Sequence, residues 1–260
     1  MNEQNFDYLK NQVKFTGFGE ALETQLKEQI SKGEPAFTLA HKAEYGKDEV
    51  NSVLHFRKSE QTDMYFFNKY DMSLKKPGDE ATVNQTFYIG KDNNITLKEG
   101  YNLLDGRSVN KDLVNRENEK YNAWVQMDFK ETDKHGNYKL KQFHENFGYD
   151  LEKALEKHPI KELNNEEDKG RLMDSLKKGN RQSVTFLSDG NEQKRFLEAS
   201  PQFKTVNVYD ANMKRVSQSK SQKESQGQSA EKSQKESPQQ DEDGTAPQKT
   251  RRRKKSKGIA

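Results

Sequence analysis

Three times along the chain an amphipathic helical pattern runs into a glycine and then straight into a strand pattern. The first junction is Ile30-Ser31-Lys32-Gly33 followed by Phe37-Thr38-Leu39. The second is Leu104-Asp105-Gly106 followed by Arg107-Ser108-Val109, and the third is Leu176-Lys177-Lys178-Gly179 followed by Val184-Thr185-Phe186. Glycine suits the first position past a helix because the backbone there turns left-handed at no steric cost. Asn51-Ser52-Val53-Leu54 and Asn122-Ala123-Trp124-Val125 align as the second strands of two such units. Glycine C-caps are common in any α+β chain, so two readings stand side by side. One is coincidence. The other is a weak helix–meander repeat, built from stacked small units rather than around a single catalytic cleft.

The periodicity between the junctions predicts the remaining elements. Helices are expected over 2–14 and 19–32, from Thr96 to Gly106, over 151–157 and over 165–178. Thr96 to Glu99 has the capping-box form, and Asp150 suits an N-cap. Strands are expected at 36–45, 50–58, 64–74, 85–90, 107–113, 121–130, 137–144, 182–187, 194–198 and 204–209. Turns are expected at Gly46-Lys47-Asp48, at Lys134-His135-Gly136-Asn137 and at Ser188-Asp189-Gly190-Asn191. The fold class is therefore α+β, with antiparallel β-meanders punctuated by short helices. The expected divisions are N-terminal helices at 1–34, a first meander and helix at 35–105, a second α+β region at 106–215, and a tail at 216–260.

The tail is defined by what it lacks. From Ser217 to Ala260 there is no Phe, Tyr, Trp, Leu, Val or Met, and the one Ile is Ile259. Such a segment cannot bury enough apolar surface to offset the entropy of ordering it, so it is expected to be disordered. The repeated Ser-Gln-Lys-Glu-Ser at 221–225 and 233–237 marks low complexity. The formal net charge of +3 divides unevenly: 217–260 carry 11 basic and 6 acidic residues, and 1–216 carry 34 and 36. Lys249, Arg251, Arg252, Arg253, Lys254, Lys255 and Lys257 place seven positive charges within nine residues. A block of this kind attracts phosphate backbone by releasing counterions and reads no sequence; it also serves as a solubilising tail.

The chain has no cysteine, which excludes disulfides, thiolate metal sites and cysteine nucleophiles. No apolar run approaches the roughly 20 residues of a membrane span, and MNEQNFDYLK lacks the pattern of a signal peptide. The expectation is a soluble, cytoplasmic protein with no membrane contact. The five histidines, His41, His55, His135, His144 and His158, show no metal spacing; His41 and His55 could face each other across a hairpin, but exposed strand histidines without a metal or catalytic role are the better reading. Neither nucleotide-binding glycine motif is present, and neither is a serine nucleophile elbow. Thr16-Gly17-Phe18-Gly19 superficially has the look of a phosphate loop but follows no strand, so a helix start is the better reading. Asp128 with Asp133 and Asp48 with Glu49 are carboxylate pairs of the type that binds divalent ions, yet in a chain with 42 acids solvated faces explain them. The strand aromatics Tyr65, Phe66, Phe67, Tyr70, Phe87, Tyr88, Tyr121, Trp124 and Phe129 suit a core rich in large rings. Exposed, they would form a base-stacking platform. No catalytic, cofactor or metal residue is assigned.

LLDGRSVNKDLVN (103–115), the stretch 121–155, LKKGNRQSVTF (176–186) and SPQFKTVNVYDANM (200–213) resemble the Bacteroidales family called domain of unknown function 3945. MYFFNKYDMSL (64–74) and QTFYI (85–89) resemble the part that often precedes it. The resemblance implies residence on conjugative transposons and other mobile elements, near topoisomerase and transfer genes. The family has no established activity, so no site residue carries over. The expected function is that of a non-enzymatic accessory protein of a mobile element, touching nucleic acid weakly through the basic block. The alternatives are an adaptor for transfer or topoisomerase proteins and, third, an undetected DNA-processing enzyme.

Overall fold

The structure, a computed structural model, describes residues 2–216 apart from Asp92, Arg116 and Asp189. Two helices come first, α1 (Glu3–Val13) and α2 (Glu23–Lys32), joined through a π-helical turn at Lys14–Phe18. Four strands follow: β1 (Ala36–Tyr45), β2 (Asp48–Lys58), β3 (Tyr65–Lys75) and β4 (Val83–Tyr88). Helix α3 (Leu97–Leu104) leads into β5 (Val109–Val114), β6 (Lys120–Thr132) and β7 (Tyr138–His144). Helices α4 (Leu151–Leu155) and α5 (Glu166–Lys177) precede β8 (Gln182–Ser188), β9 (Asn191–Ser200) and β10 (Thr205–Tyr209). The class is α+β, and each set of strands forms its own antiparallel meander in sequence order. The expected disorder of the tail and all seven residues of the basic block lie outside the described residues.

All three junction glycines are left-handed, with φ of 76° at Gly33, 83° at Gly106 and 78° at Gly179. Three helix–glycine–meander units therefore follow one another. The aligned second strands keep the same phase: Ser52 and Ala123 are buried, as are Leu54 and Val125. The Thr96–Glu99 capping box and the Asp150 cap both form.

The buried apolar residues fall into two cores. In the first, Leu9, Phe18 and Leu26 pack with Leu54, Tyr70 and Leu103, and Val125 and Met127 join from β6. In the second, Leu155, Leu176, Val184 and Leu197 pack with Trp124 and Phe143. Successive strand residues point to opposite faces, so the neighbours Trp124 and Val125 belong to different cores. The continuous apolar run Ala123-Trp124-Val125 is what a strand covered on both sides requires. The middle sheet is thus shared by both cores.

Side chains stand in for strand pairing at two places. Asn5 on α1 donates to the Tyr65 carbonyl at 2.9 Å and accepts from its amide at 2.8 Å, which clamps the helix to the start of β3. On the edge strand β4, the Gln85 side chain accepts from the Tyr138 amide at 2.8 Å and donates to its carbonyl at 3.3 Å. Asn137 accepts from the Thr86 amide at 2.9 Å. The β6–β7 turn thereby closes the β4 edge of the first sheet.

The second and third junctions pack against each other. Asn102, fully buried on α3, donates to the Lys178 carbonyl at 2.6 Å and to Asn180 Oδ1 at 3.0 Å, so it caps the C-terminus of α5. A β-carbon at Gly179 would lie 2.8 Å from the Ser108 carbonyl oxygen.

Candidate functional site

The two faces of the first sheet differ in kind. One packs into the first core. The other is open and is organised in rows by the registers β1–β2–β3–β4. Ala36, Arg57 and Phe66 form one row. Thr38, His55, Lys69 and Tyr88 form the next. Ala40, Val53, Asp71 and Thr86 form a third, and Lys42, Asn51, Ser73 and Asn84 a fourth. A bulge opposite His55 and Phe56 leaves Asn68 without a partner in the register, which is why Phe66 and Lys69, three residues apart, both face outward.

At the centre of this face Asp71 accepts from Thr86 Oγ1 at 2.6 Å and meets His55 Nε2 at 2.6 Å, with Lys69 Nζ at 3.4 Å. Partial burial alone would raise its pKa. Hydrogen bonds from Thr86 and His55, with the His55 and Lys69 charges, outweigh that and hold it below the usual carboxylate range. Both hydroxyl and imidazole spend their bonds on the carboxylate. Thr86 is not poised against His55, so the trio lacks the nucleophile–base contact that acyl transfer needs. Two shallow grooves meet at Lys69. One, of about 600 Å³, is walled by Tyr88 and the His135–Asn137 turn. The other, of about 560 Å³, is lined by Thr38, His55, Arg57 and Asn68.

The structure separates the residues singled out from sequence. Tyr65, Phe67, Tyr70, Phe87 and Trp124 are core residues, whereas Phe66, Tyr88 and Phe129 are exposed. Phe129 has Tyr138 edge-on at 5.0 Å. Among the described residues no ring stacks on Phe66 or Tyr88. His41 and His55 do not face each other. The hairpin turn has two residues, Tyr45 pairing with Asp48, rather than the three expected, and one residue of register moves a side chain to the other face. His41 packs edge-on to Phe18 in the first core at 5.3 Å, while His55 lies outside. Thr16-Gly17-Phe18 is part of the π-helical turn that ends the first helical run, with Phe18 buried and Thr16 donating to the Gln12 carbonyl. It is neither a phosphate loop nor a helix start, since α2 begins at Glu23. Asp128 pairs with Lys141 at 2.8 Å, and Asp133 holds its own turn through the His135 and Asn137 amides. Glu49 pairs with Lys42 at 2.7 Å, and Asp48 accepts from Tyr101 at 2.9 Å. Among the described residues no group of three or more potential ligands could hold a metal ion, and no helix is long and apolar enough to cross a membrane.

Asp71, Thr86 and Lys69 were not singled out from sequence. Alternation in β3 marks the outward positions, but their partners across the sheet depend on the bulge.

A second charged cluster sits at the first turn of α3. Lys98 Nζ lies 3.9 Å from the Tyr45 ring centre and 4.6 Å from that of Tyr101, and the two rings stack at 4.3 Å. Burial and the Arg107 charge, opposed by Asp105, push Lys98 down from 10.5 to about 8. Burial and the hydrogen bond to Asp48 push Tyr101 up from 10.0 to about 12. Because the unfolded chain holds the Lys98 proton more tightly, stability rises with pH between about 8 and 10 and turns down above 10, where unfolded tyrosine ionises first. Lys98→Met should abolish the rise. Urea unfolding of both proteins at pH 7, 8.5 and 9.5 checks this, and parallel curves would contradict it.

No protein-family model, curated protein or solved structure matches the chain.

Proposed function

We propose that this chain is a non-enzymatic, cytoplasmic accessory protein of a mobile genetic element that contacts nucleic acid weakly and without reading sequence. The observation that carries the reading is the division of charge. Lys249, Arg251, Arg252, Arg253, Lys254, Lys255 and Lys257 concentrate positive charge, while residues 1–216 have 34 basic against 36 acidic residues. Affinity from such a block is electrostatic, so its logarithm falls linearly with log salt. Seven charges set a ceiling of roughly −6 on the slope for duplex DNA. Filter binding across a salt series is the test. Replacing Arg251, Arg252, Arg253, Lys254 and Lys255 with Ser should remove most duplex binding at unchanged melting temperature. Duplex binding that survives the change would defeat the reading. The mobile-element context rests on the family resemblance, and the neighbouring genes test it.

A second reading, an adaptor for transfer or topoisomerase proteins, draws on a different surface. Tyr8 and Phe15, seven residues apart in the middle of α1 and in the turn that follows it, are exposed and line a shallow groove with Asn11, Gln12, Lys91 and Asn94. Aromatic anchors at helical spacing suit a protein partner. Retention of such a partner by the five-serine variant and its loss in Phe15→Ala would favour this reading.

A further inference from the structure

The geometry points to the open face of the first sheet as a platform for single-stranded nucleic acid, with Phe66 and Tyr88 as the stacking rings and Arg57 and Lys69 as the phosphate contacts. The inference deepens the proposed function: it takes nucleic acid as the partner from that reading and assigns a second contact and a strand preference.

The rings argue for stacking. Phe66 is 46% exposed and Tyr88 68% exposed, on a surface that otherwise carries small and polar side chains. The aromatic neighbours of the same strands, Phe67, Tyr70 and Phe87, are spent in the core, where each meets other rings. Phe66 and Tyr88 lie on adjacent strands one row apart. Strand rise and spacing put their Cα atoms roughly 10 Å from each other. That span accommodates two splayed bases, each on its own ring, because every base offers a π-face.

The charges argue for phosphate. The two rows that hold the rings also hold Arg57, His55 and Lys69, and the carboxylate of Asp71 in the next row meets His55 at 2.6 Å and Lys69 at a looser 3.4 Å, a part-exposed contact that a phosphate can compete for. Among the described residues Arg57 pairs with Glu60, at 3.1 Å, and both side chains are well exposed. Such a pair contributes little and is readily exchanged for a phosphate. Lys69 stands where the two grooves meet, so a backbone passing from one groove to the other crosses its ammonium.

The rest of the face argues against a dry protein interface. His55, Lys69 and Asp71 stand between the rings and Val53, and Thr38, Asn51, Ser73, Asn84 and Thr86 make up most of the remaining face, which leaves no continuous apolar patch. They offer donors and acceptors to base edges. A duplex, with its bases already stacked inside, cannot use the rings, which sets single strands apart as the occupant.

The test uses the full chain and fluorescence anisotropy with a dye-labelled oligothymidylate and a duplex of the same length. Phe66→Ala with Tyr88→Ala should weaken oligothymidylate binding tenfold or more and leave duplex binding unchanged. Tyr88→Leu, which keeps bulk on β4 and removes the phenol ring, should lose several-fold on the single strand alone, and melting curves of all variants should superimpose. An unchanged affinity, or an equal loss on both probes, overturns the platform. The five-serine variant separates the two ideas. If it loses both probes in proportion while the ring variants change nothing, the basic block stands and the platform falls. If it changes neither probe while the ring variants lose the single strand, the platform stands and the basic-block reading falls. A full chain that does not bind oligothymidylate at physiological salt overturns the platform and leaves this face to a protein partner.

Discussion

Trp124→Ala is expected to destabilise the protein by about 3–5 kcal/mol, the cost of removing a large buried ring from a packed core. The ring is 7% exposed, meets Tyr149 edge-on at 5.3 Å, and lies in the second core with Leu155, Leu176 and Leu197. The loss should not stay local. Val125, the next residue, belongs to the first core, so a β6 that loosens on one face loses its support on the other. Urea unfolding followed by circular dichroism should therefore show one transition moved to lower urea, not a new intermediate. Tryptophan fluorescence cannot report it, since the substitution removes the chain's single tryptophan. Val53→Ala is the control. Val53 aligns with Trp124 in the first unit but is 39% exposed on the open face, and its truncation should cost about 0.5 kcal/mol or less. Equal costs at the two positions would mean that the second core does not depend on the ring.

Gly179→Ala carries the other large effect, expected at about 2–4 kcal/mol. Part of it is the left-handed backbone, φ 78°, which an L side chain adopts at a cost of about 1–2 kcal/mol. The rest is crowding. The added carbon would meet the Ser108 carbonyl oxygen at 2.8 Å, Val109 Cγ2 at 2.9 Å and Asn102 Cβ at 3.1 Å, and the first of these is a backbone atom that cannot rotate away. Gly33→Ala isolates the first part. Its φ is 76°, and no atom lies within 4 Å of the added carbon, so it should cost about 1–2 kcal/mol. Chemical denaturation of the two variants side by side gives the difference. If they cost the same, the second and third junctions are not in tight contact.

The alternation of helix, glycine and meander was legible because both of its signals are local. Leu22, Leu26 and Ile30 recur at helical spacing, and Gly33 follows the last turn. What was not legible depends on register. The expected turn at Gly46-Lys47-Asp48 was one residue too long, and that one residue of register decides that His41 and His55 lie on opposite faces. The outward pairing of Phe66 with Lys69 needs the bulge at Asn68, which no residue type announces. Trp124 was recognisable as a core residue, but apart from Phe143 the core it enters is built from residues 149–208 and Val216, far along the chain. The partnership of Gln85 with Tyr138 spans 53 residues and leaves no periodic trace.

That last partnership bears on self-association. Every sheet edge is a template on which another strand can grow, and a sheet with two free edges can propagate into a fibre. In the first sheet the Gln85, Asn137 and Thr86 contacts occupy the β4 side, while among the described residues Ala36–Tyr45 on the opposite side pairs with no strand but β2. Two molecules joining edge to edge through β1 would form an eight-stranded sheet capped at both ends by the β6–β7 turns. Growth through this sheet stops at the dimer.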